Sequence, residues 1–214
     1  MARRALRKLD PTLDLSRHYR DVSDLPRPFS QAPLFSRVQP LEVEVGSGKG
    51  LFIAAAARAN PEHNFLGIEV ALKYARYAAA RLARQGRDNA VLVGGDALLL
   101  FREWFPDASL AAVHVYFPDP WWKKRHKKRR VLCEPFLRDV ERTLAAGGLL
   151  HFWTDVEEYY RSTLALIAAT VKLAGPLPVA EKPAEHDLDY RTHFERRTRK
   201  SGETVYRAEF RKES

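Results

Sequence analysis

Four carboxylates stand where their spacing could let them do chemistry: Glu44, Glu69, Asp96 and Asp119. The last is the most constrained. It lies between Pro118 and Pro120 in VYFPDPWWKKRHKKRRV, residues 115–131. Each proline fixes its own φ and restricts the residue before it, so the Asp119 backbone is held stiffly, as suits a side chain that must be aimed. Trp121 and Trp122 follow, and could stack on a base or cover a sheet edge. Seven of the eight residues 123–130 are then Lys or Arg, with no acid among them. A charge run is usually a solvated face, but one adjoining a candidate active loop suits a polyanion whose phosphates it would hold.

The other three carboxylates surround a glycine loop. Gly46, Gly48 and Gly50 in EVGSGKG let the chain turn sharply and approach a ligand with no Cβ in the way. A dinucleotide fingerprint wants glycine at 51, where Leu51 stands, so pyrophosphate binding is disfavoured. Glu69 ends the next strand, at the separation where an acid accepts hydrogen bonds from ribose hydroxyls. Asp96 lies just past the third strand, placed to meet an exocyclic adenine amine, and Glu44 sits beside the loop itself. Each acid alone reads as a solvated strand-end residue. Together they suit a cationic ligand without phosphate, and S-adenosylmethionine, with its sulfonium and ammonium, fits.

These side chains must be positioned by a repeating pattern. Strands are predicted at 41–45, 65–70, 90–93, 111–117 and 149–154, each followed by a helical pattern. The helices are expected over 51–59, from Leu72 to Gly86, around 97–105, along Leu132, Phe136, Val140 and Leu144 up to Gly147-Gly148, and over 156–172. A prolyl loop (176–183) and a late strand (204–210) close the chain. Thr192–Glu195 reads as a loop reaching back to the pocket. Strand–helix alternation of this kind predicts an α/β, doubly wound, mostly parallel sheet in a single domain. Residues 1–35 are expected to be a basic, partly mobile arm, with the catalytic domain over 36–214.

Composition narrows the function classes. The chain has 214 residues, a net charge of +9 and a pI near 9.8, which favours a polyanionic partner. No stretch approaches the ~20 apolar residues that span a bilayer, and the N-terminus lacks a secretory apolar run. Cys133 is the single cysteine, so no internal disulfide is expected. No Cys/His cluster has zinc-ligand spacing, and no metal is expected. A cytoplasmic protein fits best.

FPDPWWKKRHKKRR resembles the signature of bacterial tRNA (guanine-N7)-methyltransferases. The resemblance extends over about residues 40–210 through LEVEVGSGKG, FLGIEV, GGDAL, the TD of FWTDVEEY and THFERR. It implies a Rossmann-like S-adenosylmethionine-dependent enzyme that methylates N7 of a guanosine in tRNA, in that family the variable-loop guanosine at position 46. By the same resemblance Glu44, Gly46, Gly48, Glu69, Asp96 and Asp119 would line the cofactor pocket, with Asp119 catalytic. Lys123, Asp155, Thr192, His193, Phe194 and Glu195 would contact the substrate guanosine. Arg125, His126, Lys127, Lys128, Arg129 and Arg130 would lie on RNA, and the protein would act as a monomer or homodimer. Trp122, Lys124 and His193 are less typical of the family pattern and bear on fit to the substrate. Three other readings remain: a methyltransferase for another RNA, a non-catalytic RNA-binding subunit on the same fold, and an NAD-dependent oxidoreductase. Leu51 and the basic block disfavour the last.

Overall fold

The computed structural model describes residues 6, 8–179, 183 and 190–213, and for Lys124 the backbone alone. Its strands are β1 (Tyr19–Asp21), β2 (Leu41–Val45), β3 (Asn64–Glu69), β4 (Ala90–Gly94), β5 (Leu110–Tyr116), β6 (Leu144–Thr154), β7 (Leu173–Leu177) and β8 (Tyr206–Lys212). The helices are α1 (Leu51–Ala59), α2 (Leu72–Gln85), α3 (Ala97–Glu103), α4 (Glu134–Thr143), α5 (Glu157–Thr170) and α6 (His193–Lys200). A 3-10 helix covers Lys124–Arg129.

The strands form one sheet in the order β1-β4-β3-β2-β5-β6-β8-β7. β1 to β6 pair in parallel, and β8 pairs antiparallel with both β6 and β7. The chain steps outward from β2 through β3 to β4, then crosses back to β5 on the other side of β2. That reversal opens a crevice at the carboxyl ends of β2 and β5, where ligands settle in open α/β sheets. The doubly wound α/β expectation is met.

Strand periodicity decides which side chains reach that crevice. On β4, Val91 and Val93 join the core under α3, α4 and α5, while Ala90 and Leu92 join the cluster under α1 and α2. On β2 the same alternation sends Leu41, Val43 and Val45 into the first core. Glu42 and Glu44 therefore project to the α1 side, in register with Ala112 and His114 of β5. Polar groups collect beneath α1 because Glu42, Glu44, His114 and Tyr116 occupy alternate positions of these central strands.

Four local expectations differ from the structure. The 1–35 segment supplies the edge strand β1 and buries Leu25, Phe29 and Phe35 in the main core. α4 starts at Glu134 with Pro135 in its first turn, so Leu132 precedes it and Leu144 already opens β6. Gly147-Gly148, expected to stop a helix, lie where the β5–β6 register jumps from Leu110↔Leu144 to Ala112↔Leu149. Gly175-Pro176 belong to β7, an edge strand, where proline's missing N–H is tolerated.

Candidate active site

The crevice is a cavity of about 580 Å³ whose lining includes Glu44, Gly46, Gly48, Glu69, Asp96 and Asp119. The sheet thus brings together all six residues expected around the cofactor. The glycine loop turns as its sequence requires, with Gly46, Gly48 and Gly50 all at positive φ. Gly50 also needs its missing side chain, because a Cβ there would lie 2.6 Å from the Cβ of Ala78 on α2. That close approach seats the first turn of α1 against α2.

Each carboxylate is held differently. Glu69 accepts from the backbone N–H of Gly48 at 2.8 Å and of Ala71 at 2.9 Å, which ties the end of β3 to the loop. Asp96 caps α3, its Oδ1 accepting from Leu98 N–H at 2.9 Å. Glu44 is 3% exposed, and its Oε2 has no hydrogen-bond partner among the described residues. Burial, reinforced by the charge of Glu69, pushes its carboxyl up to about 8. A buried, unsatisfied carboxylate facing a cavity is costly unless a cation or donor arrives. The donor set therefore fits a ligand with a positive group near Glu44 and hydroxyl or amine donors near Glu69 and Asp96.

Asp119 is exposed at the mouth of the cavity, just past the end of β5. The backbone on both sides of its proline fence is unusual. Phe117 has φ +49° and Trp121 has φ +45°, a region that costs about 1–3 kcal/mol for such residues and persists only where surroundings enforce it. One enforcing contact comes from Arg130, whose Nε donates to the Pro120 carbonyl at 2.9 Å. Its guanidinium also pairs with Glu158 at 2.7 Å, donates to Ser162 Oγ at 3.2 Å and lies 4.2 Å from the Tyr159 ring centre.

The expected RNA block is accordingly divided. Arg130, expected on RNA, is buried and holds the Asp119 loop to α5. Arg125, Lys128 and Arg129 are exposed, His126 is half-buried with its ring edge-on to Trp121, and Lys127 pairs with Glu158 at 2.6 Å. Lys123 is exposed at the start of the 3-10 helix. Trp121 lines the cavity, whereas Trp122 is 66% exposed outside it.

The expected substrate loop is instead the start of α6. Thr192 caps that helix, its side chain accepting from Glu195 N–H at 3.0 Å. T-x-x-E is a capping signature, so the helix was readable from residues 192–195. Thr192, His193 and Phe194 line the cavity. Glu195 does not: it is 3% exposed, accepts from Arg191 N–H at 2.6 Å, and sits 3.4 Å from Arg199 and 3.3 Å from Arg207. Its carboxylate anchors α6 from beneath. Asp155 follows β6 at the same sheet edge and is half-buried, outside the cavity lining.

Sequence reasoning missed a buried polar chain leading to this site. His63 Nδ1 lies 2.6 Å from Glu42, whose other oxygen lies 2.7 Å from His114 Nε2. His114 Nδ1 is 2.9 Å from Tyr116 Oη, which accepts from Arg191 at 2.9 Å. Burial holds the His114 imidazole below its ordinary range and raises the Tyr116 phenol. Tyr116 lines the cavity, and Arg191 lies over the Trp153 ring at 4.8 Å just before α6. No local motif signals this chain, since its members come from separate segments brought together by the fold.

Among the described residues, no helix is long and apolar enough to cross a membrane and no group of three or more His, Cys, Asp or Glu could hold a metal ion.

This chain is similar to several known proteins. A family model described as a putative methyltransferase matches residues 38–208. A tRNA (guanine-N(7)-)-methyltransferase of Rhodopirellula baltica is 52% identical over 220 residues, spanning 100% of this chain and 81% of that protein. One of Sodalis glossinidius is 37% identical over 183 residues, spanning 84% of this chain and 75% of that protein. Among solved structures, the aminoglycoside resistance methyltransferase NpmB1 aligns with a TM-score of 0.55 at 16% identity, covering 83% of this chain and 89% of that chain. The tRNA (m1A58) methyltransferase TrmI from Aquifex aeolicus aligns with a TM-score of 0.52 at 15% identity, covering 82% of this chain and 63% of that chain. The two structural likenesses concern the fold alone.

Proposed function

This chain belongs to the tRNA (guanine-N7)-methyltransferase family, and on that premise we propose that it methylates N7 of a tRNA guanosine, the variable-loop guanosine being the favoured target. The observation that carries the reading is one cavity lined by Glu44, Glu69, Asp96 and Asp119, with the exposed cations of the 3-10 helix following the Asp119 loop. Glu44 offers a desolvated carboxylate to the ammonium of S-adenosylmethionine, Glu69 offers acceptors to ribose hydroxyls, and Asp96 offers one to the adenine amine. When bound, this cofactor supplies an electrophilic methyl group on a sulfonium.

Guanine N7 carries an in-plane lone pair, so no general base is needed to make it a nucleophile. The base becomes cationic on methylation. The work left to the protein is positioning, which can contribute several kcal/mol to lowering a barrier. Asp119 can accept hydrogen bonds from guanine N1–H and its N2 amine, aiming N7 and favouring the growing positive charge. Thr192, His193 and Phe194 are the contacts on the α6 side, and Lys123 is one on the side of the basic block. Asp155 is a further contact from the end of β6, and Glu195 acts through α6, which it anchors.

N7 faces a deep, narrow groove in A-form RNA, so the target guanosine must sit in a loop or be drawn out of its tertiary contacts, at a cost of a few kcal/mol. Exposed Arg125, Lys128 and Arg129 suit the phosphates around such a site. Asp119→Ala tests the catalytic assignment. Affinity for S-adenosylmethionine should stay within about threefold, while single-turnover methylation of tRNA falls by about a hundredfold or more. Unchanged turnover would remove Asp119 from the mechanism.

A further inference from the structure

The residue pattern places the phosphate clamp in the block 123–130, yet the fold sets a second cationic element on the same cavity. We propose that α6 is a second RNA-gripping arm, in which Arg197 takes a phosphate on one side of the target nucleotide while Arg129 takes the phosphate on its other side. This rests on the RNA reading above and adds a residue and an element to it.

Three observations converge. Arg129 and Arg197 come from separate segments, the 3-10 helix and α6, and both are exposed and line the cavity. Each guanidinium lies over an aromatic ring that also lines it: Arg129 is 5.0 Å from the centre of Trp121, and Arg197 is 5.0 Å from the centre of Phe194. Neither has a carboxylate partner among the described residues, whereas Arg130 is paired with Glu158 and Arg199 with Glu195. Arg130 and Arg199 are thus ion-paired within the fold, whereas the two arginines at the cavity are not, among the described residues.

A guanidinium resting on an aromatic face is restrained without losing its N–H donors, and its planar fork matches phosphate oxygens. Less rotamer entropy is then lost on contact. A nucleotide drawn out of its stack exposes one phosphate on each side, and gripping both offsets the unstacking cost better than gripping one. Phe194 is 42% exposed, an apolar surface that a base or sugar of the same strand would cover.

Binding of unmodified tRNA as a function of salt separates the possibilities. Arg197→Gln should reduce the slope of log K against log[salt] by about 1 and raise KM for tRNA about fivefold or more, with Tm and S-adenosylmethionine affinity unchanged. Combined with Arg129→Gln, the slope should fall by about 2, because the two grip different phosphates. A double variant no different from either single one would place both arginines on one phosphate and overturn the two-sided grip. So would wild-type slope and KM in Arg197→Gln while Arg125→Gln/Lys128→Gln still lowers the slope, and that outcome would leave the RNA reading standing. A lowered Tm in Arg197→Gln would make the residue structural and also refute the proposal. If none of these variants alters the slope, the RNA reading itself fails.

Discussion

Replacing Glu44 with glutamine keeps the shape of the side chain and removes its charge. Burial pushes this carboxyl up to about 8 from an ordinary 4.5. At about 1.4 kcal/mol per unit, a gap of ~3.5 units corresponds to about 5 kcal/mol as an upper bound, since local relaxation and water entry reduce it. The sign follows from which state holds the proton. Between pH 4.5 and 8 the native protein keeps a proton that the unfolded chain has released, so the contribution to stability is full below about 4.5 and is lost as pH rises through about 8. Ligand-free wild type should therefore lose stability across that window relative to Glu44→Gln, by up to several kcal/mol. Binding gives a second readout. A cation beside Glu44 lowers its pKa, so at pH 7 binding of S-adenosylmethionine should expel nearly one proton. Isothermal titration in phosphate and in Tris, which differ in ionisation heat, measures that proton directly. Wild type should show buffer-dependent heats and Glu44→Gln none. Equal heats in both buffers for wild type would refute the assignment of Glu44 as the cation-facing group.

Arg130→Met should lower stability by about 2 kcal/mol and reduce turnover while leaving the tRNA salt slope at its wild-type value, because this arginine holds Pro120 and Glu158 instead of a phosphate. A flattened slope would return Arg130 to the RNA surface. Gly50→Ala should cost more than about 1 kcal/mol and weaken S-adenosylmethionine binding, since a Cβ there meets Ala78 at 2.6 Å and φ is +67°. Differential scanning calorimetry together with cofactor titration checks both effects.

The parts of the site legible from the chain are those attached to strand ends. Glu44, Glu69, Asp96 and Asp119 could be placed because each follows or closes an apolar run, and a parallel sheet gathers such positions at one edge. The basic block was visible as charge, but its division was not. Arg130 looks like its neighbours in sequence and turns inward only because Glu158 and Tyr159 of α5 wait beneath it. Glu195 is a substrate contact by the family resemblance alone, and its ion pairs with Arg199 and Arg207, which join α6 to β8, exist only once those elements pack. The His63–Glu42–His114–Tyr116–Arg191 chain draws on residues from 42 to 191 and leaves no local trace. β1 was hidden by its length, three residues without alternation, and is a strand only because β4 offers it an edge.

The account stands most directly on the identity of the methylated atom. Incubating the protein with bulk unmethylated tRNA and methyl-labelled S-adenosylmethionine, followed by complete digestion, identifies the labelled nucleoside. The label should be found in 7-methylguanosine. Label in any other nucleoside, or none transferred while the cofactor binds, would contradict it.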